Sequence, residues 1–130
     1  MGWFDGKYWY WSCYRSHSKH IAEGVVELIS KVAKDVPITY VGGTEGGGIG
    51  TSFDQVDRVV SENPADTLLA FFDLGSAKMN LKMVTDFSDK SIIINRVPIV
   101  EGAYNAAALL QAGAELSVIQ TQLAELEINK

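Results

Sequence analysis

Leu68-Leu69-Ala70-Phe71-Phe72, closed by Asp73-Leu74-Gly75-Ser76, is the passage that decides the fold. An unbroken apolar run ending at a single acidic residue describes a strand covered on both faces, as in a parallel sheet. A strand with one wet face would alternate apolar and polar residues instead. Gly75-Ser76 then opens a helix expected to run through about Thr85. Downstream, Ile92 to Ile94 reads as the next buried strand. Ala103 to Ala112 is a helix of small residues suited to close packing, and Glu115 to Leu126 is a final amphipathic helix. Upstream, Asn63-Pro64 stops a helix whose apolar side is Phe53, Val56, Val59 and Val60. Thr51 with Asp54 three residues on resembles a capping box at its start. Before it come the short strand Ile38 to Val41 and the glycine loop Gly42 to Gly50. Ile21, Val25, Leu28, Ile29 and Val32 share one face of a helix from about Ser18 to Lys34, which must end before Pro37. Tyr8 to Tyr14 is an aromatic-rich first strand. This repeated alternation predicts an α/β fold: a doubly wound, mainly parallel sheet flanked by helices. Ligands collect at the carboxyl edge of such a sheet. That rule gathers Ser16-His17-Ser18, the glycine loop and Asp73 along one edge.

The 130 residues predict a single domain, 1–130, with one core. A net charge of -5 argues against nucleic acid or an anionic membrane as the main partner. No apolar run approaches the roughly 20 residues of a bilayer span. The first residues lack the pattern of a secretory signal, so a cytoplasmic location is expected. One cysteine and two histidines make a poor zinc site, and no metal is expected.

His17 falls between the first strand and the first helix, where an imidazole is reachable yet held by rigid neighbours. A neutral imidazole is a good nucleophile near pH 7. Phosphoryl transfer asks mainly for positioning and charge stabilisation. Helix N-termini and loop amides can receive the new negative charge, at roughly 0.3–1 kcal/mol per helix end and up to about 2 when partly buried. From position alone, a surface or helix-capping histidine with no chemistry is the somewhat stronger reading. Asp73 stands on the same edge, where a carboxylate on one ring nitrogen fixes the tautomer and leaves the other to attack. It also reads as an N-cap for the helix beginning at Gly75. The glycine loop fails both nucleotide patterns. Gly43 and Gly48 have the spacing of a phosphate-binding loop, but Ile49 stands where lysine belongs. Gly46 and Gly48 would need glycine at position 51, which is Thr51. A solvent loop, or one presenting amides to phosphate, remains. His20 reads as a solvated helix residue, Lys78 as an exposed lysine or a phosphate contact, and Cys13 as a small buried residue.

Ser16-His17-Ser18, Ala22-Glu23-Gly24-Val25, Gly42-Gly43-Thr44, Gly50-Thr51-Ser52, Phe72-Asp73-Leu74-Gly75-Ser76-Ala77-Lys78-Met79-Asn80 and Val100-Glu101-Gly102-Ala103-Tyr104 occur together. Jointly they resemble the phosphocarrier subunits of phosphoenolpyruvate-dependent dihydroxyacetone kinase, relatives of the mannose-class enzyme IIA domains of the phosphotransferase system. The likeness runs from about Ser16 to Lys130. It implies a mannose-class enzyme IIA-like fold, a homodimer and a covalent phosphohistidine with no bound cofactor. It also implies HPr as phosphoryl donor and, as acceptor, ADP held on the nucleotide-binding kinase subunit. By motif match the phosphorylated residue is His17 and the orienting residue Asp73. Ser16, Ser18, Gly43, Thr44, Gly75 and Ser76 would line the site.

Residues 1–15 depart from the family, which begins with an aliphatic strand where this chain has Trp9-Tyr10-Trp11-Ser12-Cys13-Tyr14-Arg15. Two indoles on one face of a central strand are hard to pack, and overpacking costs about 1–3 kcal/mol. A frame or register difference is the expected explanation, decided by intact mass and N-terminal sequencing. The unusual strand also leaves open a docking module of the same fold that carries no phosphate. A flavodoxin-type ligand domain is a third possibility that no residue pattern demands.

Overall fold

The structure, a computed structural model, describes residues 10–43, 53–63 and 66–130, with the backbone alone for 10–16 and 75–77. Strand and helix alternate as β1 (Tyr10–Ser16), α1 (Lys19–Ser30), β2 (Ile38–Gly42), α2 (Phe53–Glu62), β3 (Thr67–Phe72), α3 (Gly75–Phe87) and β4 (Ser91–Asn95). The helices α4 (Ile99–Gln111) and α5 (Leu116–Ala124) follow. The strands form one sheet in the order β2-β1-β3-β4, every described pairing parallel.

The apolar run that predicted this sheet explains its layers. Leu69 and Phe71 face α1, α4 and α5, in a core with Val25, Ile29, Ala103, Ala106, Leu110, Ile119 and Leu123. Leu68, Ala70 and Phe72 face the other way, onto Val56 and Val60 of α2 and Leu81 and Val84 of α3. Successive strand residues point to opposite faces, so a strand with helices on both sides needs apolar residues at every position. Each fully buried Leu or Phe contributes roughly 1.5–3 kcal/mol. The α/β, doubly wound architecture is therefore the one expected.

Several boundaries differ from expectation. α1 stops at Ser30 rather than Lys34 and closes with short-range bonds, among them Val32 N–H to Ile29 O at 3.1 Å and Val36 N–H to Ala33 O at 3.3 Å. Ala33 and Val36 still reach the core, so apolar spacing continued where helix did not. α4 begins one turn before Ala103, because Pro98 caps it and its carbonyl accepts from Gly102 N–H at 2.9 Å. β1 continues two residues past Tyr14, its register with β2 extending to Ser16 opposite Gly42, while Tyr8 and Trp9 lie outside the described residues. It pairs on both sides despite its atypical composition. Cys13 pairs with Thr39 and Ala70 through its backbone, and its side chain lies outside the described residues. So do Thr51 and the Thr44 to Gly50 stretch of the glycine loop. Among the described residues, no helix is long and apolar enough to cross a membrane.

Gly24 lies on the exposed side of α1, with nothing within 4 Å of where a Cβ would stand. A helical glycine costs roughly 0.5–1 kcal/mol relative to alanine. Gly24→Ala is expected to raise unfolding free energy by about that amount in denaturant titration.

Candidate active site

The register of β1 with β3 sets the site. Arg15 pairs with Phe72, so the next residues of two neighbouring strands leave the sheet side by side. The Asp73 carboxylate accepts the His17 backbone N–H at Oδ2, 2.9 Å away. Its Oδ1 lies 2.8 Å from the His17 ring nitrogen Nδ1 and accepts Leu74 N–H at 2.7 Å. An ionised carboxylate only accepts, so Nδ1 carries the ring proton and the neutral ring's lone pair sits on Nε2. The two side chains are 15% and 13% exposed, dry enough to strengthen the contact and open enough for the ring to be approached.

The N-cap position of α3 is Leu74, which makes no side-chain cap bond, and the Asp73 carboxylate accepts from His17 and from the Leu74 N–H. Ser18 caps α1, accepting Ile21 N–H at its Oγ, 3.4 Å away. The first turn of α1 thus begins two residues after His17, and that of α3 two residues after Asp73. Ser16 is placed by its pairing with Gly42 and Gly75 opens α3; the side chains of Ser16 and Ser76 are outside the described residues, as is all of Thr44. Gly43 is buried and adopts φ 71°, a left-handed conformation that favours glycine.

Gly42 holds the His17 turn from below. A Cβ there would stand 2.5 Å from Ser18 O and 2.7 Å from Lys19 Cα, both backbone atoms of the start of α1. Gly42→Ala is expected to cost about 1–3 kcal/mol, the range for overpacking. Thermal unfolding should show a lowered midpoint, in contrast to Gly24→Ala.

Sequence reasoning missed Lys130. Its Nζ donates to Phe72 O at 2.6 Å and Asp73 O at 3.3 Å, and lies 4.4 Å from the centre of the Phe72 ring. Burial pushes this ammonium below the usual lysine range, while the Asp73 carboxylate pulls the other way. Nothing in the one-dimensional pattern links it to a strand end far upstream. Lys78 Nζ donates to Lys130 O at 3.1 Å, and His20 is exposed on α1. Among the described residues, no cluster of three or more His, Cys, Asp or Glu is placed to hold a metal ion.

Residues 15–120 match the family described as the PTS system fructose IIA component. The phosphotransferase subunit DhaM of the PTS-dependent dihydroxyacetone kinase of Lactococcus lactis is 53% identical over 115 residues, 88% of this chain and 94% of that protein. The phosphoryl donor subunit DhaM of PEP-dependent dihydroxyacetone kinase 1 of Listeria innocua is 50% identical over 113 residues, 87% of this chain and 91% of that one. A crystal structure of a protein of unknown function superposes with a TM-score of 0.76 at 29% identity, covering 91% of this chain and 92% of its own. The sigma-54 interaction domain protein of Enterococcus faecalis, at 11% identity and a TM-score of 0.68 over 88% of this chain and 87% of its own, shares the fold alone. With the family match spanning the His17 turn, Asp73 and the chain from α1 into α5, the chain belongs to the PTS fructose IIA component family, among the phosphotransferase subunits of dihydroxyacetone kinase.

Proposed function

We propose that this chain is the phosphoryl donor subunit of a PEP-dependent dihydroxyacetone kinase, with His17 as its phosphorylated residue. HPr supplies the group, and ADP on the nucleotide-binding kinase subunit receives it. The observation that carries this reading is the 2.8 Å contact between His17 Nδ1 and Asp73 Oδ1. Asp73 holds the Nδ1 proton, so the Nε2 lone pair attacks phosphorus. The Nε2–P bond forms as the bond to the donor's leaving atom breaks, and that atom departs with the electron pair. The ring gains positive charge, which the adjacent carboxylate stabilises. In the second step an ADP phosphate oxygen attacks, the Nε2–P bond breaks, and the ring returns to its neutral form with Nδ1–H still on Asp73.

The α1 and α3 N-termini beside the pair favour the incoming negative charge, with Ser16, Ser18, Gly43, Thr44, Gly75 and Ser76 as its lining. The reading needs no metal or bound cofactor beyond the covalent phosphohistidine. It places the protein in the cytoplasm as a homodimer.

Phosphopeptide mapping tests it. Incubation with phosphoenolpyruvate and the general phosphotransferase proteins should give an acid-labile, base-stable phosphate. Trypsin cuts after Arg15 and Lys19, so His17 and His20 fall in separate peptides. Label is expected on residues 16–19. Label on the peptide beginning at His20, or none on folded protein, overturns the assignment.

A further inference from the structure

Beyond α5 the chain returns along the sheet. Ile128 N–H donates to Arg96 O at 2.8 Å, and Arg96 pairs with Glu127 at 3.3 Å. This return brings Lys130 to the end of β3, where its ammonium binds the carbonyls of Phe72 and Asp73 and lies against the buried Phe72 ring. Lys78 of α3 holds the Lys130 main-chain oxygen. Lysines ordinarily keep their charge in water, stretching the stem along apolar surface. An ammonium turned inward onto main-chain oxygens gives up hydration, which those contacts must replace. The acceptors it has taken belong to the peptides that carry and precede the carboxylate on His17.

We propose that Lys130 is a positioning residue for the His17–Asp73 pair. It fixes the peptides at the end of β3, so the carboxylate keeps the angle at which it holds Nδ1–H. It also supplies positive charge beside Asp73 as the phosphoryl group arrives. This rests on the phosphocarrier reading above. The attraction between the ammonium and Asp73 is consistent with it.

The test compares Lys130→Met, which keeps the stem and removes the charge, with Lys130→Arg, which keeps a charge. Two readouts are taken: the His17 ring nitrogen and Nδ1–H resonances in unphosphorylated protein, and transfer kinetics from phosphorylated HPr. Lys130→Met is expected to shift the His17 ring resonances. It should also lower kcat about three- to tenfold, the scale of one ordinary net hydrogen bond, with KM for the donor unchanged. Lys130→Arg should lie closer to wild type in both. Wild-type resonances and kcat in Lys130→Met overturn the proposal. So does equal slowing in both variants that merely follows a lowered thermal midpoint. Should Lys130→Met not fold, Lys130→Gln takes its place under the same criteria. Failure of wild type to accept phosphate would instead sink the phosphocarrier reading, leaving the ring resonances to judge Lys130 separately.

Discussion

His17→Ala is expected to reduce phosphorylation to background while the protein stays folded. No other group inherits the chemistry, because the reaction needs a ring whose proton is held on one nitrogen so that the other can attack. His20 lies exposed on α1, while the Asp73 carboxylate is engaged by His17 and Leu74. Stability should fall little. Asp73 keeps the His17 and Leu74 backbone N–H groups when the ring is gone, so the expected loss is about 1–2 kcal/mol. Circular dichroism melts and labelling on the same preparation separate the two effects. Label that persists and moves to His20 would remove His17 from the mechanism.

Asp73→Asn should be nearly as damaging through a subtler route. The carboxylate accepts at both oxygens, from the His17 backbone at one and from the ring and Leu74 at the other. An amide accepts at one end only. If its oxygen faces the ring, its NH2 meets the His17 N–H donor and the negative charge is lost. If its NH2 faces the ring, Nδ1 must give up its proton, which moves to Nε2 and abolishes the nucleophile. In a Ser-His-Asp triad, the same exchange costs about 10⁴-fold through the wrong tautomer. We expect transfer to slow about 10²- to 10⁴-fold in rapid-quench measurements, equivalent to roughly 3–5.5 kcal/mol. The accompanying loss of stability should be smaller, about 1–3 kcal/mol for a disturbed buried acceptor. An unchanged rate would make Asp73 a purely structural residue.

The architecture was legible because β3 is apolar at every position, and only a strand between two helical layers requires that. The meeting of His17 with Asp73 was legible for a related reason: parallel strands point their carboxyl ends the same way, and both residues follow strand ends. Boundaries were less so. Ala33 and Val36 continue the apolar period of α1 through turns, and periodicity cannot tell a buried helix from a buried turn. Ile99 and Val100, β-branched and hence poor helix formers, obscured the first turn of α4, although Pro98 before them and Glu101 after were available start signals. The aromatic stretch suggested an end at Tyr14, two residues short of Ser16, since where a strand stops depends on its partner. Lys130 left no trace at all. Its placement depends on the path taken beyond α5, and one lysine after Ile128-Asn129 looks like any solvated side chain.

Asp73 is the first residue past a strand clamped by both layers. Amide protons in such a strand exchange with solvent through whole-molecule opening rather than local excursions. The backbone leading into the carboxylate is therefore anchored in the most protected part of the sheet, and Lys130 binds the carbonyls on either side of its Cα. A carrier that must be met in turn by a donor and an acceptor then offers both the same unyielding target, and whatever adjustment each encounter requires falls to the visitors.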